Sequence, residues 1–524
     1  MRLKLFTVLT LALLAGYTSW AQAPATTPAR LVDAAAEALG GKARIQALRT
    51  LTITGYGQIG QQNGGGNIDS NPQAPQKWTN ISGSIRTIDL ERGRMRLVQT
   101  ATQDFVFAYE RNMRGIRAEQ RLDGDVAFNM GANGRPARAG AAVVRARRLE
   151  MLNNPIALVR ATLDPAAKLS NLRADRATSS QLVDLTTAAG DAVTVAFDSA
   201  TRLPAWASWV QADTNLGDIT VRTYYSAYQA EKGIKVPFGY TSVIDWRNTV
   251  TSRFYVDRVS IDEAIDDLAA PPDVRAAAAP VPVPPTIEVT PVTKGIWYLK
   301  GAGNSTAFEF SDHITLFEVY ASEANARAII EKARTLVPGK PVTEVIVSHH
   351  HFDHSGGLRA AVAEGLTIIT QRANSAIFQE MAARPAKVFP DALGRAPKPI
   401  KIIPVDDTLV LKDAAMEVVV YRALNNSHMA NSVMAYAPSA KTISQGDLVD
   451  ENWDIVWWGN SYPESVAFWK LDVERDLAVH GNINTYQAAI GHLRRQAANA
   501  KALCEKVAAA NLSMPGCPAT NVAF

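Results

Sequence analysis

The C-terminal half of the chain alternates short apolar runs with amphipathic stretches. The apolar runs predict strands at 295–299, 314–319, 344–347, 418–421 and 432–436. Ser322 provides an N-cap for a predicted helix that ends near Val337, just before Pro338 and Gly339. Strands that alternate with helices are typical of a layered α/β domain.

The N-terminal half shows a different pattern, in which β-forming residues dominate. One helix is predicted over 30–48, and runs of β-branched and aromatic residues predict strands at 51–54, 192–197, 219–225 and 252–256. A Gly-, Gln- and Asn-rich stretch at 60–75 predicts a loop. We expect a β-rich (α+β) domain with a large antiparallel sheet. Its role is open between a structural or dimerising module and a site for an apolar ligand or a partner.

A run of alanine and proline divides these two halves. Because such a run cannot form a regular helix or a central strand, residues 269–287 are predicted to be a semi-rigid linker. At 524 residues the chain is too long for one ordinary domain. The predicted segments are a signal peptide (1–21), the β-rich N-terminal domain (28–268), the linker (269–287), an α/β domain (288–500) and a C-terminal tail (501–524).

The first residues predict export. Arg2 and Lys4 precede an apolar run at 5–15, and small residues suitable for signal-peptidase cleavage follow, with cleavage expected after Ala21. The alternative is a membrane anchor, but the run is short for a membrane span, and no later run reaches that length. The expected product is periplasmic or secreted, without a stable membrane anchor.

Charge and cysteine content bear on the partners and the compartment. The net charge is +4, and it falls to +2 when Arg2 and Lys4 leave with the signal peptide. A balance this small is not typical of nucleic-acid binding, so a small-molecule substrate is expected. Cys504 and Cys517 form either a disulfide, if the compartment is oxidising, or two free thiols.

The densest chemistry lies in the stretch 348–357, which reads Ser-His-His-His-Phe-Asp-His-Ser-Gly-Gly. Five of these ten residues are potential metal ligands, whereas the whole chain has eight histidines. His349 and His351 project to one side of an extended loop and suit one ion, while Asp353 and His354 suit a second. Imidazole and carboxylate ligands favour zinc, with manganese or iron as substitutes. The alternative is a solvated histidine-rich loop.

This H-x-H-x-D-H pattern resembles the metallo-β-lactamase superfamily, including its glyoxalase II-like members, over residues 288–500. The resemblance implies an αββα sandwich that carries one or two metal ions at one edge of its two sheets, and two zinc ions per chain are expected here. It also implies further ligands: His428 on the first metal, Asp447 as the bridging carboxylate, and His480 on the second metal. Asp450 and His492 are the competitors for the last two positions.

The implied ligand set consists of His349, His351, Asp353, His354, His428, Asp447 and His480. Such a site supplies hydroxide at neutral pH, with Asp353 as the catalytic residue that orients it. The expected function is cleavage of an ester, lactone, thioester, amide or related bond. Trp453, Trp457 and Trp458 are either the wall of an apolar substrate pocket or core packing. The alternative function is a non-hydrolytic, metal-dependent binding or accessory protein of the periplasm.

Overall fold

The computed structural model describes residues 27–61, 69–74, 76–104, 115–514 and 516–518. The predicted signal peptide and half of the predicted loop at 60–75 lie outside these residues. The α-helices of the described residues are α1 (Pro28–Leu39), α2 (Lys42–Ala47), α3 (Ala141–Leu152), α4 (Pro155–Thr162), α5 (Pro272–Ala276), α6 (Glu323–Arg334), α7 (Leu358–Glu364), α8 (Ser375–Ala383), α9 (Ala392–Arg395), α10 (Ser461–Phe468) and α11 (Tyr486–Ala509).

Within the described residues, the N-terminal domain contains one sheet of thirteen strands, all paired antiparallel. The first strand lies inside this sheet, between the second and the thirteenth. The strands are β1 (Thr50–Gln61), β2 (Lys77–Asp89), β3 (Arg94–Asp104), β4 (Ile116–Asp123), β5 (Val126–Met130), β6 (Pro136–Arg138), β7 (Lys168–Asp175), β8 (Ser180–Thr186), β9 (Ala192–Asp198), β10 (Pro204–Asp213), β11 (Gly217–Glu231), β12 (Ile234–Ile244) and β13 (Val250–Ile261).

Helices α1, α3 and α4 contribute side chains to the apolar core of this sheet. The single helix predicted over 30–48 is instead two helices, separated by Gly40 and Gly41. Both glycines have positive φ, and a Cβ on Gly40 would lie 2.6 Å from the carbonyl oxygen of Gly233. The chain therefore breaks here because the backbone of the sheet approaches too closely for a helix to continue.

The C-terminal domain has two sheets packed face to face. The first has the order β14 to β20, with β17 to β20 parallel, and the second has the order β21 to β26, with β24 and β25 parallel. The strands are β14 (Glu288–Thr293), β15 (Ile296–Lys300), β16 (Ser305–Glu309), β17 (Ile314–Phe317), β18 (Val342–Ile346), β19 (Thr367–Gln371), β20 (Lys401–Val405), β21 (Thr408–Lys412), β22 (Glu417–Arg422), β23 (Val433–Ala437), β24 (Thr442–Gln445), β25 (Arg475–Ala478) and β26 (Ile483–Thr485).

Helices cover the outer face of each of these sheets. Phe317 and Ile346 of the first sheet meet Val420 and Leu477 of the second in a core between them. Side chains of α6 and α7 pack on the far side of the first sheet, and those of α10 and α11 on the far side of the second. This is the predicted αββα arrangement preceded by a β-rich domain, and the predicted fold class is confirmed.

The predicted linker and tail are both partly ordered. The linker holds α5, and the carboxylate of Asp123 accepts a hydrogen bond from the backbone of Ala270 at 2.8 Å. Helix α11 runs past residue 500 to Ala509, so it crosses the predicted boundary of the tail. Cys504 on this helix and Cys517 beyond its end are joined in a disulfide. No helix in the described part of the chain is both long and apolar enough to cross a membrane.

The two domains are tied together by polar contacts around the β10–β11 hairpin. The carboxylate of Asp218 accepts hydrogen bonds from the backbone N–H groups of residues 387–389 at 2.6 to 3.0 Å. Arg247 forms two hydrogen bonds to Glu380, at 2.7 and 2.8 Å. A cluster of buried side chains also continues from one domain into the other. The N-terminal sheet is thus packed firmly against the sandwich.

Candidate metal centre

The histidine-rich loop begins where β18 ends. The backbone N–H of Ser348 donates to the carboxylate of Glu318 at 2.8 Å, which anchors the start of the loop. At its end, a Cβ on Gly357 would lie 1.8 Å from the carbonyl oxygen of Val319, and one on Gly356 would lie 2.3 Å from that of Ala321. The two glycines are therefore needed for the loop to pass this close to the segment after β17.

The other three predicted ligands come from the second sheet. His428 lies in the loop before β23, where the side-chain oxygen of Asn426 accepts a hydrogen bond from the His428 backbone N–H. Asp447 and His480 follow β24 and β25, and because these neighbouring strands run parallel, both residues emerge at the same edge. Gly446 allows the approach to the loop, since its Cβ would lie 2.6 Å from the Ser348 hydroxyl.

Four of the predicted ligands form one group of donor atoms: His349, His351, His428 and Asp447. All four side chains are buried, and their donor atoms lie within 4.8 Å of one another. His349 Nε2 is 3.0 Å from His351 Nδ1, and His428 Nε2 is 2.8 Å from Asp447 Oδ2.

Asp353, His354 and His480 form a second group. His354 Nε2 lies 3.1 Å from His480 Nε2. The other oxygen of Asp447, Oδ1, is 2.9 Å from His354 Nε2 and 3.1 Å from His480 Nε2. Asp447 therefore lies between the groups, with one oxygen directed at each. The structure brings all seven predicted residues together.

Electrostatics differ between the two groups. Burial, followed by the charge of His354, lowers the pKa of His349 to about 3, and burial also lowers the pKa of His351 and His428. Although burial by itself lowers the pKa of His354 and His480, Asp447 and further carboxylates outweigh it and raise both.

The donor set fits metal ions. Two pairs of ring nitrogens face each other at about 3 Å inside the protein. Neutral imidazoles present lone pairs, and a cation between them satisfies both nitrogens. Ser348 Oγ lies 2.9 Å from His349 Nδ1, a contact that leaves Nε2 of that ring directed at the group.

Two residues that the sequence did not single out orient these side chains. Glu318 is fully buried with one carboxylate oxygen 3.4 Å from His354 Nδ1, and the hydroxyl of Tyr320 donates to Asp353 Oδ2 at 3.0 Å. Burial, followed by the nearby charges of Asp353 and Asp447, raises the pKa of Tyr320, so it remains a donor. Glu318 directly follows β17 and Tyr320 lies two residues further on. Their place beside the site depends on the parallel pairing of β17 with β18, which the sequence alone does not show.

The aromatic residues after Asp447 divide between site and core. Trp458 stacks on His428 with the ring centroids 4.3 Å apart, and its Nε1 donates to the Asp447 carbonyl at 2.5 Å. Trp457 packs with Ala497 and Ala500 of α11, and Trp453 packs against the same cluster. Trp458 thus holds two predicted ligands in place, whereas Trp457 serves the core.

The competing residues lie elsewhere or make other contacts. Asp450 is buried, and burial raises its pKa to about 6, while its Oδ1 accepts from the backbone of Asn452 at 2.9 Å. His492 lies on α11, where its Nδ1 is 2.5 Å from the guanidinium of Arg495. Among the remaining histidines, His313 lies just before β17, with its Nδ1 2.6 Å from Asp312 Oδ1. Of the described residues, neither donor group includes Asp450, His492 or His313.

This arrangement defines a class of protein: an αββα sandwich with two adjacent groups of potential metal ligands at one edge of its sheets. A model of the metallo-beta-lactamase superfamily matches residues 301–420. The resemblance to that superfamily, predicted from the histidine-rich loop, is confirmed by this match, and the His/Asp donor groups of the structure fit it.

A curated relative is a linear primary-alkylsulfatase from Pseudomonas sp. It is 39% identical over 75 residues, which are 14% of this chain and 11% of the relative. The match therefore spans about a tenth of that protein's length.

Solved structures with a similar fold show low identity. One is the stereoselective inverting sec-alkylsulfatase Pisa1 from Pseudomonas sp., with 15% identity, 43% of this chain and 44% of that chain covered, and a TM-score of 0.32. Another is a metallo-beta-lactamase from Pontibacter korlensis, with 15% identity, 40% and 96% coverage, and a TM-score of 0.31. Likeness at this level says nothing about activity.

Proposed function

We propose that the chain is an exported, binuclear metal-dependent hydrolase. The observation that supports this proposal is the position of Asp447, whose two oxygens face two separate groups of donors. A carboxylate has lone pairs on both oxygens, so it suits the place between two cations. His349, His351 and His428 would hold one ion, and Asp353, His354 and His480 would hold the other.

Metal ions held there supply Lewis acidity and a water molecule that ionises near neutral pH. The chain supplies the geometry. Tyr320 fixes the carboxylate of Asp353, which orients the attacking oxygen, and Glu318 fixes the imidazole of His354. Because the ligands are buried and packed, little reorganisation is needed when charge develops on the substrate.

The metal, the bond and the compartment follow as parts of the same proposal. Zinc suits the mixed imidazole and carboxylate donors, with manganese or iron as substitutes. The bond belongs to the class of esters, lactones, thioesters and amides, and the alkylsulfatase relative adds sulfate esters. The substrate is a small molecule, and the N-terminal segment directs the protein to the periplasm or beyond.

The test is a substrate panel across these bond classes with zinc-loaded protein. We expect two equivalents of metal by elemental analysis, and turnover of at least one class that a chelator removes and zinc restores. Turnover that survives complete removal of metal contradicts the proposal. Two bound metals without turnover of any class favour the alternative, a metal-dependent binding protein. Fractionation of the host and N-terminal sequencing of the product test export and cleavage after Ala21.

A further inference from the structure

A cavity of about 510 Å³ lies on the covered face of the N-terminal sheet, at the boundary with the sandwich. Its size is within the range of small-molecule sites. Strands β10 to β13 contribute most of its wall, and α3 closes part of it. The principal apolar residues lining it are Trp209, Val221, Tyr240, Ile244, Phe254 and Phe352.

The charged groups of the cavity are one cation, Arg86, and two carboxylates, Glu150 and Asp213. Arg86 pairs with Glu150 beside the ring of Phe254, and the Nε of Arg86 is buried without a hydrogen-bond partner in the described part of the chain. Asp213 accepts hydrogen bonds from the backbone of Asn215 and Leu216, both at 2.9 Å. With one cation and two carboxylates, the cavity does not suit a strongly anionic ligand. It suits an aliphatic chain.

Phe352 connects this cavity to the metal centre. Within the fully described stretch 349–354, it is the one side chain that is not buried. It packs against Trp246 with ring centroids 5.8 Å apart, and it lines the cavity. Its sequence neighbours His351 and Asp353 belong to the two donor groups. The ring of Phe352 is thus an apolar surface that the histidine-rich loop (348–357, hereafter the metal loop) presents to the cavity, where an aliphatic ligand chain can cover it.

The N-terminal domain also holds the backbone at this point. The Asn215 side chain is buried, and its amide donates to the Phe352 carbonyl at 3.0 Å and to the Ser355 hydroxyl at 2.8 Å. The position of Phe352 relative to the cavity is therefore set by direct hydrogen bonds between the domains, not by apolar packing alone.

We propose that this cavity binds the aliphatic chain of the substrate, and that the hydrolysable bond of the same molecule reaches the metal centre past Phe352. The substrate class is a single-chain amphiphile, such as an acyl ester. This inference rests on the proposed hydrolase function for its second half, while the binding of an aliphatic chain stands independently.

The test compares two Val→Trp variants on neighbouring strands. Val221→Trp places the indole in the cavity, whereas Val243→Trp places it on the opposite face of the sheet, because Val243 pairs with Arg222 and alternates with the cavity residues Ser242 and Ile244. Zinc-loaded proteins are assayed with acetyl, butanoyl, octanoyl and decanoyl p-nitrophenyl esters. Binding of the uncharged fluorescent probe N-phenylnaphthylamine is measured separately, without turnover.

In the wild type, KM should fall about fourfold for each added CH₂ until the cavity is filled. In Val221→Trp, the octanoyl KM and the probe Kd should rise about tenfold or more, with the acetyl KM within about twofold. Val243→Trp should behave as the wild type. Circular dichroism and metal content check folding, and Ser252→Phe at the cavity wall is the second blocking variant.

The outcomes separate the two proposals. If the probe distinguishes the variants but neither these esters nor any other bond class of the substrate panel is turned over, the cavity is supported as a binding site and the hydrolase proposal fails. If esters are turned over but folded Val221→Trp and Ser252→Phe retain the wild-type chain-length dependence and probe affinity, the cavity proposal is overturned.

Discussion

The two β-rich regions of this molecule use their strands in different ways. In the N-terminal sheet, all described neighbours run antiparallel, so consecutive strands end at opposite edges. In the sandwich, β17 to β20 and the pair β24–β25 run parallel, so their carboxyl ends gather at common edges. All eight histidines of the chain lie from residue 313 onwards.

This difference explains why one region carries the candidate chemistry and the other offers a surface. Parallel strand ends bring Glu318, His349, Asp447 and His480 together, although up to 162 positions separate them. An antiparallel sheet instead presents a continuous face, and here that face forms a cavity with the metal loop at its border. The comparison predicts that damage at strand ends affects catalysis, whereas damage on the sheet face affects binding.

The largest effect is expected from Asp353→Ala. Loss of this carboxylate removes a predicted ligand and the partner of Tyr320, so kcat should fall about 10²–10⁴-fold with little change in circular dichroism. The matched control is Asp472→Ala, because that side chain is 74% exposed and forms a surface ion pair with Lys441. An equal loss in the two variants would contradict a local role for Asp353.

A second prediction compares how the domains respond to pH. In the sandwich, burial raises the pKa of Asp476, a residue of β25, to about 7. In the N-terminal sheet, arginine neighbours help to hold the pKa values of Asp123 and Glu119 below their usual range. Stability from Asp476 is fully present below about pH 4 and is lost as pH rises to about 7, because the folded state keeps the proton longer. The effect of the two N-terminal carboxylates on folding stability has the opposite sign. The stability that Asp123 and Glu119 contribute is lost as pH falls.

The measurement is the free energy of unfolding of wild type and Asp476→Asn at pH 4 and pH 8. The variant does not titrate, so its stability relative to wild type should rise between these pH values, by about 4 kcal/mol if the full shift is expressed. A difference that stays constant across this range would show that Asp476 does not retain its proton in the folded state.

The third prediction separates two histidines. His480→Ala removes a donor within 3.1 Å of both His354 and Asp447, so the protein should hold one equivalent of metal instead of two, with sharply lower activity. His492→Ala changes a residue on α11 that contacts Arg495, and such a change shifts stability by about 0.5 kcal/mol or less. Metal loss in His492→Ala with retention in His480→Ala would reverse the assignment.

The smallest effect is expected at the boundary between the regions. Asn215→Ala removes both hydrogen bonds to the metal loop and should cost about 1–3 kcal/mol of stability, and it should weaken metal affinity about tenfold. Thr178→Ala, which removes an exposed contact with Asp175 in the same domain, is the control. Unchanged metal affinity in Asn215→Ala would mean that the sandwich holds its loop without help from the sheet.

The sequence could predict the metal loop because its ligands are close together in the chain. His349, His351, Asp353 and His354 follow one strand within six positions, and their spacing alone indicates two directions of projection. The layered α/β class was equally accessible, since apolar periodicity reports which face of an element is buried. The break at Gly40 and Gly41 was missed because it depends on a strand almost two hundred residues away.

Tertiary structure decided what depends on strand order and on contacts between domains. Local pattern could rank His480 above His492, but it took the parallel pairing of β24 and β25 to bring His480 beside Asp447. Glu318 and Tyr320 acquired their roles because β17 pairs with β18. Asn215 and Phe352, separated by 137 positions, meet through packing of two domains. Sequence periodicity encodes burial along one element, whereas the choice of neighbouring elements arises from the packing of the whole chain.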